Sequence, residues 1–242
     1  MRLLSIGDIH GHLSALNALL EIVRPKDDDQ IVFLGDYVDK GPNVKGVIDR
    51  LLEIAVTPNV VFLRGNHDQM MSDAIRNVSN IPAWQDLGGE MPLASYGEGS
   101  LANVIPIVPA EHLRFLDEVC ADYFETPDYI FVHGGIRSFL EPSQEDRERL
   151  LWTTLSMATE HASGRTVICG HSSQPNGEIA DLGHTICIDT GIARGGWLTC
   201  LALDTFDYWQ ASPEGICRSG RLRDGKSIAE SRPTGKAGGL LS

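Results

Sequence analysis

Leu3-Leu4-Ser5-Ile6-Gly7-Asp8-Ile9-His10-Gly11 reads as a short apolar strand that ends in a glycine turn carrying an aspartate and a histidine. The same construction returns down the chain. The run Ile31–Leu34 enters Gly35-Asp36-Tyr37-Val38-Asp39-Lys40-Gly41, Val60–Leu63 leads through Arg64 to Gly65-Asn66-His67-Asp68, and Tyr129–Val132 ends in His133-Gly134-Gly135. A fifth copy, Cys169-Gly170-His171, closes the run Thr166–Cys169. Between the first three runs lie segments of helical period, with apolar residues at 13, 16, 19, 20 and 23 before Pro25, and at 44, 47, 48, 51, 52 and 54. This alternation predicts a β-α-β-α-β opening around a largely parallel inner sheet. Later runs at Thr166–Cys169, His184–Ile188, Leu198–Leu203 and Tyr208–Ala211, separated by turns such as Gly195-Gly196, predict a second, more antiparallel sheet. The stretch 81–108, rich in Gly and Pro, is expected to form a long loop or irregular helical insertion over one end of the sheets.

With 242 residues, 42% hydrophobic and 22% charged, the chain can bury a sizeable core in packed layers, and wholesale disorder is excluded. A formal net charge of −13 argues against a general affinity for nucleic acid or an anionic membrane. A phosphate-bearing partner must then be held by a local positive charge, for which a bound metal is the obvious source. Five widely spaced cysteines without a CxxC pair suggest neither a thiolate zinc site nor a disulfide framework, and most are expected to be small buried residues in a reducing cytosol. No apolar run approaches the roughly 18 residues of a membrane span, and Met1–Ile6 runs straight into Gly-Asp without a secretory pattern. The chain therefore reads as soluble and cytoplasmic. One catalytic domain is expected over residues 1–211, followed by a flexible Gly- and Ser-rich tail over 212–242 that carries net charge +3 against −16 for the rest.

In open α/β sheets the carboxyl ends of neighbouring strands converge on one crevice, so the polar residues of these turns would be gathered from distant parts of the chain. The gathered side chains are aspartate, asparagine and histidine, without thiolate, a donor set that suits Mn²⁺, Fe or Zn²⁺. Six of them are too many for one catalytic ion with open positions. Two ions sharing a carboxylate is the economical count, with Asp36 as the bridging candidate. Such a pair, about 3.5 to 4 Å apart, can generate hydroxide at neutral pH and clamp a phosphoryl group during in-line displacement. A chance G-D-x-H-G in a chain of this length is on the order of 10⁻³, and G-D-x-x-D and G-N-H following it in order bring the joint figure nearer to roughly 10⁻⁶.

Across about residues 3 to 205, these five motifs make the chain resemble the calcineurin-like metallophosphoesterases, and within them the phosphoprotein phosphatases that act on serine and threonine, especially the small bacterial and phage members. The resemblance implies an α/β sandwich of two mixed β-sheets flanked by helices, and a dinuclear site usually filled by Mn²⁺. It implies Asp8, His10 and Asp36 as ligands of one ion, and Asp36, Asn66, His133 and His171 as ligands of the other. His67 resembles the general acid that protonates the leaving alkoxide, and Asp39 the carboxylate that orients it. The chemistry supports that pair independently, since alkoxide is a poor leaving group and an imidazolium held by a carboxylate is a suitable donor near neutral pH. The implied reaction is phosphomonoester hydrolysis by a metal-bridging hydroxide, with a phosphoprotein or phosphopeptide as substrate.

The motifs also depart from the family pattern. Lys40 stands where the family usually has arginine, replacing a bidentate fork with a point charge, and Asp68 stands where it usually has glutamate. Thr154 occupies the place, two residues after Trp152, where many relatives grip phosphate with arginine. Lys40 and Arg194 are the substrate-binding candidates in their stead. Two rival functions keep the same residues: hydrolysis of a dinucleoside polyphosphate such as diadenosine tetraphosphate, and a non-catalytic phosphoprotein-binding module. Gly220–Ser227 satisfies the P-loop pattern but lacks the buried strand before it and the long helix after it that such a loop requires. The histidines at 12, 112, 161 and 184 are expected at surface or capping positions.

Overall fold

In the computed structural model, which describes residues 1–89, 94–97 and 108–223, β1 (Leu3–Ile6), β2 (Gln30–Phe33) and β3 (Val60–Phe62) pair in parallel. Helices α1 (Leu13–Val23) and α2 (Val44–Ile54) make the two crossovers, as the helical periods predict. Asn43 caps α2 by accepting from the Gly46 N–H at 2.9 Å. Arg24, in the left-handed region, closes α1 by donating its N–H to the Leu20 carbonyl, and Pro25 prevents continuation.

Helix α3 (Asn66–Arg76) starts immediately after the β3 turn, with the Asp68 carboxylate accepting from the Gly65 N–H at 2.8 Å. Helix α4 (Ile81–Gln85) follows, and α5 (Ala110–Arg114) leads through a π-helical turn to Val119. Of the stretch 81–108, only α4, the turn after it, residues 94–97 and Val108 are described, so the expected insertion otherwise lies outside the described residues.

The remaining strands are β4 (Tyr123–Glu125), β5 (Tyr129–Val132), β6 (Thr166–Cys169), β7 (Ala180–Asp181), β8 (Thr185–Cys187), β9 (Leu198–Ala202), β10 (Asp207–Ala211) and β11 (Cys217–Arg221). Two mixed sheets result, in the orders β11-β10-β9-β1-β2-β3 and β4-β5-β6-β8-β7. The division of strands differs from the expected one in β9 and β10. The second sheet includes β5, and its β5, β6 and β8 run parallel with antiparallel strands only at its edges. β9 and β10 return to the first sheet, where β9 pairs antiparallel with β1. Pairing also continues beyond the boundary drawn at 211, because β11 hydrogen-bonds along β10 from Asp207↔Arg221 to Ala211↔Cys217. Residues 224–242 lie outside the described residues.

Alternating side chains of every central strand enter different cores, which is why these strands read as continuous apolar runs. Ile31 and Phe33 pack beneath α1 and α2, while Val32 and Leu34 face the second sheet. Tyr129 and Phe131 meet them from β5, whereas Ile130 and Val132 turn outward to Leu150 on α6 (Arg147–Trp152). The layers are thus helix, sheet, sheet, helix. Among the described residues no helix is long and apolar enough to cross a membrane. Cys120, Cys169, Cys187 and Cys200 are buried free thiols, and Cys217 is exposed.

Candidate active site

The turns that follow β1, β2, β3, β5, β6 and β8 are knitted together at one edge of the two sheets. The His10 N–H donates to the Asp36 carbonyl at 2.8 Å, the Gly170 N–H to the His133 carbonyl at 2.8 Å, and the His67 N–H to Asp36 Oδ1 at 3.0 Å. His10, Asp36, Asp39, Lys40 and His171 all have φ between 46° and 69°, a conformation costly for residues with a Cβ. Such strain gathers where surrounding contacts force side chains into functional positions. Glycines of these turns are sterically required; at two of them the site's own carboxylates leave no room, since a Cβ on Gly65 would overlap the Asp36 carboxylate and one on Gly170 the Asp8 carboxylate. Asp68, the departure from glutamate, has a backbone task. Its buried carboxylate accepts from the Asp36, Tyr37 and Gly65 N–H groups at 2.8, 2.9 and 2.8 Å, tying the β2 turn to the start of α3.

All six expected ligand residues converge. Asp36 Oδ2 lies 3.4 Å from His10 Nε2, and Asp36 Oδ1 lies 3.3 Å from His133 Nε2. Asn66 Oδ1 is 3.0 Å from both His133 Nε2 and His171 Nδ1. Asp8 is fixed by the His171 N–H, 3.1 and 3.3 Å from its two oxygens. Two triads have ligand atoms within 4.8 Å of one another, His10 with Asp36 and His67, and Asp8 with Asp36 and His133, so Asp36 is common to both. In these tight groups Asp8 keeps company with His133 rather than His10.

The donor chemistry fits divalent cations. His10 Nδ1 and His133 Nδ1 each contact a carbonyl, of Val38 and Leu34, at 2.8 Å; a carbonyl only accepts, so each Nδ1 carries a proton and Nε2 is the nitrogen presented to the site. Around His133 Nε2 the oxygens of Asp36 and Asn66 crowd together at 3.3 and 3.0 Å, an arrangement that calls for positive charge among them. His133 shows the same demand: burial opposes its charge, but Asp36 and Asp8 outweigh burial and raise it to about 10. Burial, and the neighbouring Lys40 ammonium, bring His10 down to about 3, and burial with the charge of His133 brings His171 down to about 4, leaving both as neutral imidazoles. Burial opposes the charge of Asp36, but the charge and hydrogen bond of His133 hold its carboxyl well below the usual range.

Within the first triad, His67 Nδ1 also lies 2.6 Å from Asp39 Oδ2, and both side chains are buried. Lys40 Nζ lies 3.4 Å from His10 Nε2. Lys40 and Arg194 line the same cavity of about 260 Å³ as His10, Asp36, Asn66, His67 and His171. Thr154 lies instead in an adjoining open groove of about 620 Å³, with Leu155, Ser156, Ala158, Ser172, Gln174 and Leu182; Ser173 borders both spaces.

Sequence reasoning missed two buried residues at this site. Asp189 lines the cavity with one oxygen 3.1 Å from the Gly191 N–H, and burial raises its carboxyl above the ordinary value. Its signal was available, since Ile186-Cys187-Ile188-Asp189-Thr190-Gly191 repeats the apolar run ending in aspartate and glycine. Trp84, whose indole meets Asp39, had no motif to announce it. His112, expected at the surface or as a cap, is fully buried between the Tyr96 hydroxyl and Asp49 at 2.9 Å each, and His161 is buried as well.

The calcineurin-like phosphoesterase profile matches residues 1–193. A Caenorhabditis elegans protein provisionally named a serine/threonine-protein phosphatase is 38% identical over 65 residues, 26% of this chain and 18% of that protein; the chain thus matches under a fifth of that relative's length. A crystal structure provisionally titled as a diadenosine tetraphosphatase has a TM-score of 0.62 at 20% identity, covering 93% of this chain and 95% of the other. A cold-active protein-tyrosine phosphatase from a psychrophilic Shewanella species has a TM-score of 0.55 at 18% identity, covering 90% and 80%. These structural likenesses are of fold, and the three names span three substrate classes.

Proposed function

The chain belongs to the calcineurin-like phosphoesterase family, and from that premise we propose that it removes phosphate from phosphoserine or phosphothreonine in proteins. The observation that carries the reading is the contact of His67 with Asp39 at 2.6 Å, His67 lining a cavity with His10 and Asp36, and Asp36 being shared by two acid–imidazole triads. Asp8, His10, Asp36, Asn66, His133 and His171 would hold two divalent ions, Mn²⁺ being best suited, which when bound supply Lewis acidity and an activated water at neutral pH. Asp39 keeps the His67 Nδ1 proton engaged, so that Nε2 is the nitrogen free to deliver a proton to the departing oxygen. Lys40 and Arg194 place positive charge where the non-bridging phosphoryl oxygens would lie, in the roles expected of the family's arginines.

The groove beside the cavity supports a peptide over a dinucleotide. Among the described residues its lining is of hydroxyl, amide and apolar groups, with no lysine or arginine. Residues flanking a phosphorylated side chain could lie there, whereas a polyphosphate chain running along it would meet no neutralising charge from the described residues. The test compares turnover of a phosphopeptide and of diadenosine tetraphosphate by the full chain with Mn²⁺ added and with chelator. Metal-dependent hydrolysis of the phosphopeptide at a higher kcat/KM supports the proposal. Preference for the dinucleotide replaces it with the nucleotide-hydrolase reading, and inertness toward both with a non-catalytic role.

A further inference from the structure

Within that proposed function, on which this inference rests, we infer that Trp84 is a positioning residue for the proton donor, acting through Asp39. Trp84 sits on α4, outside every motif, and only 1% of it is exposed. Its Nε1–H lies 3.0 Å from both Asp39 oxygens, and Asp39 Oδ2 is the atom 2.6 Å from His67 Nδ1. Asp39 itself is fully buried in a left-handed backbone conformation, φ 69°, and among the described residues its carboxylate has no partners other than the indole and the imidazole.

The choice of an indole has a chemical reason. A lysine or arginine in that place would neutralise the carboxylate and compete with His67 for it. An indole N–H is a neutral donor with no acceptor capacity, so it fixes the plane of the carboxylate while leaving its charge to the imidazole. Rotation about the Asp39 Cβ–Cγ bond would break both N–H contacts, so the indole restrains the direction in which Oδ2 faces His67. The surrounding chain is fitted to this purpose. Gly89 packs against the indole so closely that a Cβ there would strike the ring, and Leu87 in the same turn lines the catalytic cavity.

The test is Trp84→Phe in the full chain with Mn²⁺, assayed on phenyl phosphate, whose leaving oxygen needs a proton, and on p-nitrophenyl phosphate, whose leaving group departs without one. Loss of the N–H should lower kcat on phenyl phosphate about tenfold and on p-nitrophenyl phosphate less than about threefold, with KM for each within about twofold. The ratio of the two rates is taken within each variant, so a reduced folded fraction cancels. Trp84→His returns a ring N–H and should recover part of the phenyl phosphate rate. Trp84→Phe combined with Asp39→Asn should show the same ratio as Asp39→Asn alone, because the indole acts only through that carboxylate. Equal losses on the two esters, or no loss on either, overturn the role of Trp84. A wild-type chain that hydrolyses neither ester overturns the phosphatase reading itself, and the role of Trp84 with it.

Discussion

Asp36→Asn separates the two halves of the proposed metal centre, because the two carboxylate oxygens have different obligations. Oδ1 accepts from the His67 N–H at 3.0 Å, and Oδ2 faces His10 Nε2 at 3.4 Å. An asparagine must keep its carbonyl oxygen toward the His67 N–H, since an amide NH₂ there would set donor against donor. The NH₂ therefore turns toward His10. The His10 triad then loses its only carboxylate, while the His133 triad keeps Asp8 and a neutral oxygen. At about a thousandfold excess over its dissociation constant, each ion stabilises the folded chain by about 4 kcal/mol. At about 2 to 4 °C per kcal/mol for a chain of this size, each ion accounts for about 8 to 16 °C of Mn²⁺-induced rise in melting temperature.

The expected outcome is two bound Mn²⁺ per wild-type chain by elemental analysis after dialysis, one for Asp36→Asn, and a melting shift reduced to about half. Adding His10→Ala to Asp36→Asn should change neither number further, whereas adding Asp8→Asn should remove the remaining ion. Two ions bound by Asp36→Asn with an undiminished melting shift would refute the bridging role. Retention of the His10-side ion in preference to the other would refute the argument from amide orientation.

His67→Asn should lower kcat on a phosphoserine peptide by about 10² to 10⁴, the usual worth of a general acid, while Mn²⁺ stoichiometry stays at two; unchanged kcat would remove His67 as the donor. Arg64, nearly buried, donates to the carbonyls of Leu116, Asp117 and Cys120 at 2.8 to 3.1 Å. Arg64→Met should therefore cost about 3 kcal/mol in urea unfolding, and a loss below about 1 kcal/mol would show that those carbonyls find other partners. Asp29 is held well below the ordinary carboxyl range: burial would raise it, but the Arg2 guanidinium and the Arg2 and Lys26 N–H groups overcome burial. A depressed folded value stabilises the fold above the unfolded carboxyl value of about 3.9, and that stability is lost as pH falls through and below it. The urea midpoint of Asp29→Asn should start lower at pH 7 and fall less steeply toward acid than that of the wild type; parallel curves would show that the Arg2 contact contributes nothing to stability.

What could be read along the chain was whatever depends on neighbours in sequence. The spacing of apolar residues defined α1 and α2 at their observed ends, because Asn43 and the Arg24-Pro25 stop act within one turn of the helix they bound. The repeated ending of an apolar run in Gly-Asp, Gly-Asn-His or His-Gly marked the six candidate ligands, because only a turn at a strand end presents such side chains together with the glycines their crowding requires. Sheet membership was not written there. β5 and β9 are apolar on both faces in either sheet, so only packing decided that β9 lies against β1 and that β5 joins β6. The partner of the proposed proton donor's carboxylate was equally hidden. Trp84 stands 45 positions from Asp39 in a segment without periodicity, and the contact between them exists only once α4 folds over the β2 turn.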